Sequence, residues 1–293
     1  MIDLAISVSD RPVALDHYRY VETHAWWLGT FGVHQHLTEH VLRHWVPVQP
    51  GREWVLDHEL TGEQRWLTGS AEAARADGFD LRDVAPTGRF RALHGEYDTL
   101  RGGDTDDADR SEHDYTSDLD TARADTRRLN GNRRAESAGG CGLPPRPPRR
   151  GSWQVPTAAF FGQLPRDPAV LLARLQEDNP GSWFGPFAAA VTSLRTGLVP
   201  ADLREALYRA VCGLPGVSVN EQAWNVDGHE CIAIVHDVGR TRTELMVDRN
   251  DGRFVGERDT LRVDSRCGLR AGTVISTTAV RSGVVEAVGV RPR

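Results

Sequence analysis

Apolar and polar positions alternate through the first quarter of the chain. In VHQHLTEHVLRHWVPV, residues 33–48, the odd positions Val33, Leu37, Val41 and Trp45 are apolar and His34, His36, His40 and His44 are even. Successive strand side chains point to opposite faces, so this period of two predicts a half-buried strand with the four imidazoles on its solvated side. Residues 17–27, 53–60 and 64–69 are also rich in aromatic and β-branched side chains and read as strands, separated by Gly-Thr, Pro-Gly and Thr-Gly steps. Ser70 is placed to cap a short helix over 71–77, which Gly78 stops.

The period changes after residue 151. Asp167 is a good N-cap, Pro168 suits the first helical position, and Leu171, Leu172 and Leu175 form one stripe. A second helix is predicted over 186–196, with Phe187, Ala190, Val191 and Leu194 in register. A third, over 200–213, buries Leu203, Leu207, Ala210 and Val211. Beyond Val217 short strand-like runs alternate with turn signals at Asp227-Gly228, Val238-Gly239, Asp251-Gly252 and Ser282-Gly283, which predicts an antiparallel meander. After Leu245-Met246-Val247, the Asp-Gly step predicts a two-residue hairpin turn. Strands, then helices, then strands argue for an α+β fold. The expected architecture is one strongly curved antiparallel sheet, a half-barrel built from the N- and C-terminal strands, with about three helices packed on one face.

Between these regions the pattern dissolves. The stretch 98–151 is acidic at first, then basic, then proline-rich, with few apolar side chains to offset the entropy of ordering. The expected organisation is therefore an N-terminal part of the sheet over 1–97, a mobile insertion over 98–151, and a helical lid with the meander over 152–293. The first and last parts together form one domain.

Composition narrows the function only by exclusion. The 293 residues are 39% apolar, include eight Trp and carry a net charge of −6, and every basic residue is Arg. This fits a folded protein with no general attraction to nucleic acid or anionic membranes. No apolar stretch approaches the roughly 20 residues that span a bilayer, and the first ten residues lack the basic flank of a signal peptide. Cys141, Cys212, Cys231 and Cys267 are too widely spaced for a CxxC pair, and their three disulfide pairings stay open beside the reading as isolated thiols.

Signatures of catalysis are absent: there is no G-x-S-x-G elbow, GxGxxG or GxxxxGK, and no cofactor is implied. His34, His36, His40 and His44 are the candidate metal ligands, since imidazoles on one face suit Zn²⁺ or Cu²⁺. Their spacing along a strand is too wide for one ion without a neighbouring strand. Trp45, Trp54 and Trp66 fall on the N-terminal strands and are the candidate lining of an apolar ligand cleft.

Four segments together carry a resemblance: GEQRWLTGSAEAARADG, GSWQVPTAAFFGQLPRDPAVLLARL, LVPADLREALYRAVCGLPGV and VDRNDGRFVGERDTL followed by GLRAGTVISTTAV. They resemble an actinobacterial family with a short cytoplasmic head, one membrane span and a large extracytoplasmic domain, often accompanying extracytoplasmic-function sigma factors. The Asp248, Asp251, Gly252, Gly256 and Glu257 hairpin is more distantly similar to the half-barrels of periplasmic lipoprotein carriers and anti-sigma-factor regulators (LolA-like and RseB-like). The resemblance implies an extracytoplasmic location, a membrane anchor in the parent protein, and a cleft for a lipid or other apolar ligand or a regulatory protein partner. The expected function is thus a non-enzymatic sensor or interaction domain linked to sigma-factor regulation. The alternatives are a metal-dependent enzyme using the histidine-rich strand and a structural cell-envelope domain.

Overall fold

A computed structural model describes residues 8–10, 13–49, 51–93, 95, 97, 151–180 and 185–292. The predicted insertion, except Gly151, lies outside these residues, as does Cys141. The N-terminal strands are β1 (Tyr18–Phe31), β2 (His34–Pro47), β3 (Glu53–Thr68) and β4 (Gly88–Leu93). The C-terminal ones are β5 (Val217–Trp224), β6 (Glu230–Val238), β7 (Thr241–Val247), β8 (Phe254–Leu261) and β9 (Val274–Val285). All nine lie in one open antiparallel sheet of order β4-β3-β2-β1-β9-β8-β7-β6-β5. β1 pairs with β9 from Tyr18 opposite Val285 to Trp27 opposite Ser276, which fuses the two ends of the chain.

The helices are α1 (Ala71–Ala76), α2 (Ala158–Gln163), α3 (Pro168–Asp178), α4 (Pro186–Arg195) and α5 (Ala201–Val211), with a 3₁₀ turn at Leu81–Asp83. The described residues thus hold five α-helices where about three were expected. The extra lid helix is α2, where the Thr157 hydroxyl accepts the Phe160 N–H at 3.1 Å and satisfies a donor at the helix start. Asp167 caps α3 as anticipated, its carboxylate accepting the N–H groups of Ala169 and Val170, both at 3.0 Å.

Helices α2 to α5 cover one face of the C-terminal half of the sheet. Leu171, Leu175, Leu203, Leu207 and Val211 pack with Ile234, Leu245 and Val247 of the sheet and with Val21 of β1. Below them Glu257 of β8 is buried and its carboxylate accepts from the Arg195 guanidinium at 2.6 Å, tying α4 to the sheet. On the opposite face Trp45 packs with Tyr20 and Val55, and its indole N–H donates to the Val290 carbonyl at 2.9 Å.

Three local expectations change. Residues 53–68 form one strand, because an irregularity in the β2–β3 ladder between Thr38 and His40 absorbs the break at Thr61-Gly62. Ser282-Gly283 is not a turn: β9 runs through it, and Gly283 is needed because a Cβ there would collide with Pro292. The 248–253 connection is a six-residue turn closed by the Asp248 N–H donating to the Arg253 carbonyl at 2.8 Å. The Asp248 carboxylate accepts the Asn250 N–H at 2.6 Å, so a side chain supplies the turn that the Asp-Gly step was expected to supply alone.

Among the described residues no helix is long and apolar enough to cross a membrane. Two substitutions test the packing by urea denaturation. Leu203→Ala, at a fully buried helix–sheet contact, should cost about 2–5 kcal/mol. Gly256→Ala should cost about 1–3 kcal/mol, since φ there is +151° and a Cβ would strike the Thr278 carbonyl.

Candidate functional site

Residues opposite one another in an antiparallel ladder share a face. Val21 lies opposite His44, Ala25 opposite His40, and Trp66 opposite His36, so the even positions of β2 look toward the same side as the helical lid. Among the described residues the roof over this N-terminal half is thin: α1, the residues after it and the 3₁₀ turn. Far from being solvated, His34, His36 and His40 are 5%, 1% and 4% exposed. The alternating pattern misleads because it presumes one wet face, whereas both faces of the sheet are covered here.

Each imidazole has its own surroundings. The His34 Nε2 lies 2.7 Å from the Asp77 carboxylate just past α1, which pins that helix to β2. His36 is held between Trp66 and Phe79, with ring centroids 4.7 and 4.9 Å away. The His40 Nδ1 is 3.0 Å from the His58 Nε2, and the His40 ring packs on Trp27 at 4.6 Å. His44 meets Tyr97 at 5.9 Å. The four predicted ligands are therefore spread along the strand. Among the described residues no three of His, Cys, Asp and Glu are grouped as metal ligands would be.

Burial sets the charge of three of these imidazoles. It holds the imidazoles of His36 and His58 below their ordinary value, against a hydrogen bond from His58 to the Pro86 backbone. Burial, aided by repulsion from His58, pushes His44 down to about 4. At neutral pH these rings are neutral. Both ring nitrogens of His36 and the Tyr97 hydroxyl are buried without a hydrogen-bond partner among the described residues. An unpaired buried polar group of this kind costs about 1–3 kcal/mol.

Trp66 is in contact with these imidazoles, and Trp54 lies on the same side, one residue from the oppositely directed Val55. Trp45 is on the other face with Tyr20 and Val55, so the three tryptophans do not line one surface. The sequence reading missed His58, Phe79 and Tyr97. His58 sits diagonally across from His40, which pairs with Leu60, and only the β2–β3 register reveals that. His58 also opens onto a cleft of about 390 Å³, lined further by Leu60, Leu81, Arg82, Pro86 and Thr87. Such a wall, which Glu59 also joins, offers apolar contact, one neutral imidazole and a guanidinium already paired with Asp80. Among the described residues Cys212, Cys231 and Cys267 are free thiols.

The depressed imidazoles make stability pH-dependent. A histidine whose value falls on folding contributes fully above its ordinary 6.5, and that contribution is lost as pH drops toward the folded value. The melting temperature should fall between pH 7 and pH 4.5, with His44 contributing up to about 3 kcal/mol. His44→Gln should remove the largest part of the fall. Comparisons with family models, curated proteins and solved structures find no match for this chain.

Proposed function

We propose that this chain is a non-enzymatic binding domain that takes an apolar or amphiphilic ligand in the cleft beside His58. The observation that carries this reading is the unequal roofing of one sheet face. Among the described residues, four helices fill the C-terminal half with tightly buried side chains, whereas the N-terminal half carries only α1 and a 3₁₀ turn and retains an open cleft. Leu60, Leu81 and Pro86 suit a short acyl or other apolar body; the Arg82 guanidinium at the same wall is already paired with the Asp80 carboxylate, so apolar contact carries the binding.

A bent sheet belongs to this reading. Asp227, in the loop after β5, meets His24 of β1 at 2.5 Å although β9, β8 and β7 lie between β1 and β6. Four strand spacings in a flat sheet would amount to roughly 19 Å, so the contact supports strong curling or folding-over. With the family resemblance, the reading extends to an extracytoplasmic sensor whose occupancy is passed, through the parent protein's membrane anchor, to a sigma-factor system.

Titration with decanoate, followed by the His58 ring protons in NMR and by calorimetry, tests the cleft. Saturable shifts at His58 are expected, with affinity weakened roughly tenfold or more in Leu60→Asp, as loss of one buried aliphatic contact predicts. Shifts confined to other sites, or no binding at millimolar decanoate, contradict the proposal.

A further inference from the structure

We propose that His24 is a pH-operated clasp that fastens loop 225–229, between β5 and β6, to the centre of the sheet. The His24 Nδ1 is 2.5 Å from an Asp227 carboxylate oxygen and its Nε2 is 2.7 Å from a Glu39 carboxylate oxygen. A neutral imidazole has one N–H and can serve one of these acceptors, leaving a lone pair facing the other. Only the imidazolium, with two N–H donors, satisfies both at once. The clasp is therefore closed when His24 carries its proton.

Two carboxylates face His24, each with a guanidinium at or near it. Glu39 comes from β2, with Arg65 of β3 near it and the Thr61 hydroxyl donating to its second oxygen. Asp227 comes from the loop, and its other oxygen accepts from Arg281 of β9 at 3.1 Å. Burial alone pushes the His24 imidazole down, but the two carboxylates outweigh it and hold it above its ordinary 6.5. Glu39 lies below its ordinary 4.5 despite burial, because Thr61, His24 and Arg65 favour its charge.

The signs define a window. The His24 contribution is complete below 6.5 and disappears as pH rises through the elevated folded value. The Glu39 contribution is complete above 4.5 and disappears as pH falls through its lowered value. The clasp is closed between the lowered Glu39 value and the raised His24 value and releases on either side.

What it releases is local. The loop is folded on itself by Asn225, whose side-chain carbonyl accepts the N–H groups of Asp227 and His229 at 3.1 and 3.0 Å. Its residues form one wall of a cleft of about 450 Å³ that Asp248, Asp251 and Arg253 also line. A second contact, His229 Nε2 to Asp248 at 2.6 Å, holds the loop's far end without reaching β1. Freeing His24 therefore leaves the Asp227 carboxylate tied to Arg281 alone among the described residues, loosens that end of the loop first and widens the cleft from the side of β1.

Hydrogen exchange of the 225–229 amides, corrected for the intrinsic effect of pH and read from pH 5.5 to 9 in the full chain, tests the clasp. Protection should fall on the alkaline side by roughly two- to tenfold, the range that two partly exposed ion pairs allow. Asp227→Asn should flatten this profile and move the His24 titration in NMR toward 6.5, while His229→Gln keeps the profile's alkaline step. A pH-independent wild-type loop, an unchanged profile in Asp227→Asn, or a step lost only in His229→Gln would overturn the proposal. If Asp227→Asn does not fold, the His24 titration in the wild type decides: a midpoint at or below 6.5 overturns the clasp.

Discussion

The pairing of β1 with β9 is the contact on which the rest of the structure rests. Without it the chain would be a four-stranded and a five-stranded sheet, each with a bare edge beside its neighbour. Unpaired buried N–H and C=O groups are costly, so a ladder from Tyr18–Val285 to Trp27–Ser276 both satisfies those groups and removes two exposed edges. Its central residues are correspondingly dry: Ala25 and Thr278 are completely buried. The same ladder aligns Val21 with the lid helices and His24 with the far loop, so packing and the charged network both depend on its register.

That common frame lets one face of the sheet hold two different environments. Over β5 to β9 the lid is a conventional apolar interface of leucines and valines from α3 to α5. Over β2 and β3 the sheet presents imidazoles to aromatic rings, and His36 has no hydrogen-bond partner among the described residues, in a space that an aliphatic side chain could fill at lower cost. Retaining neutral rings there sacrifices stability and leaves hydrogen-bonding groups near the cleft. The other face carries charged pairs, with His24 joined to carboxylates from two remote segments.

Local features were legible in the sequence. The Asp167 cap and the leucine stripe of α3 depend on residues within a few positions of each other, and strand alternation marked β1, β2 and the meander. What the sequence could not carry was set by distant partners. Ser282-Gly283 has turn letters, but Pro292 packing against Gly283 and pairing with β1 keep β9 extended. The histidine side of β2 looked solvated because its roof comes from 71–83 and Tyr97, and His58 joined His40 only once β3 was registered against β2. Trp45 separated from Trp54 and Trp66 for the same reason: a position's parity says which residues share a face within a strand, not across a ladder of unknown register.

The central claim is that a single sheet, joined at β1–β9, unfolds as one unit. Native-state hydrogen exchange across a denaturant series measures this directly, through the opening free energies of the amides of β1, β2, β7 and β8. The account predicts that the slowest amides on both sides of the junction merge onto one global opening with one denaturant slope. Two separate openings, with β1–β4 exchanging while β5–β9 stays protected or the reverse, would contradict it.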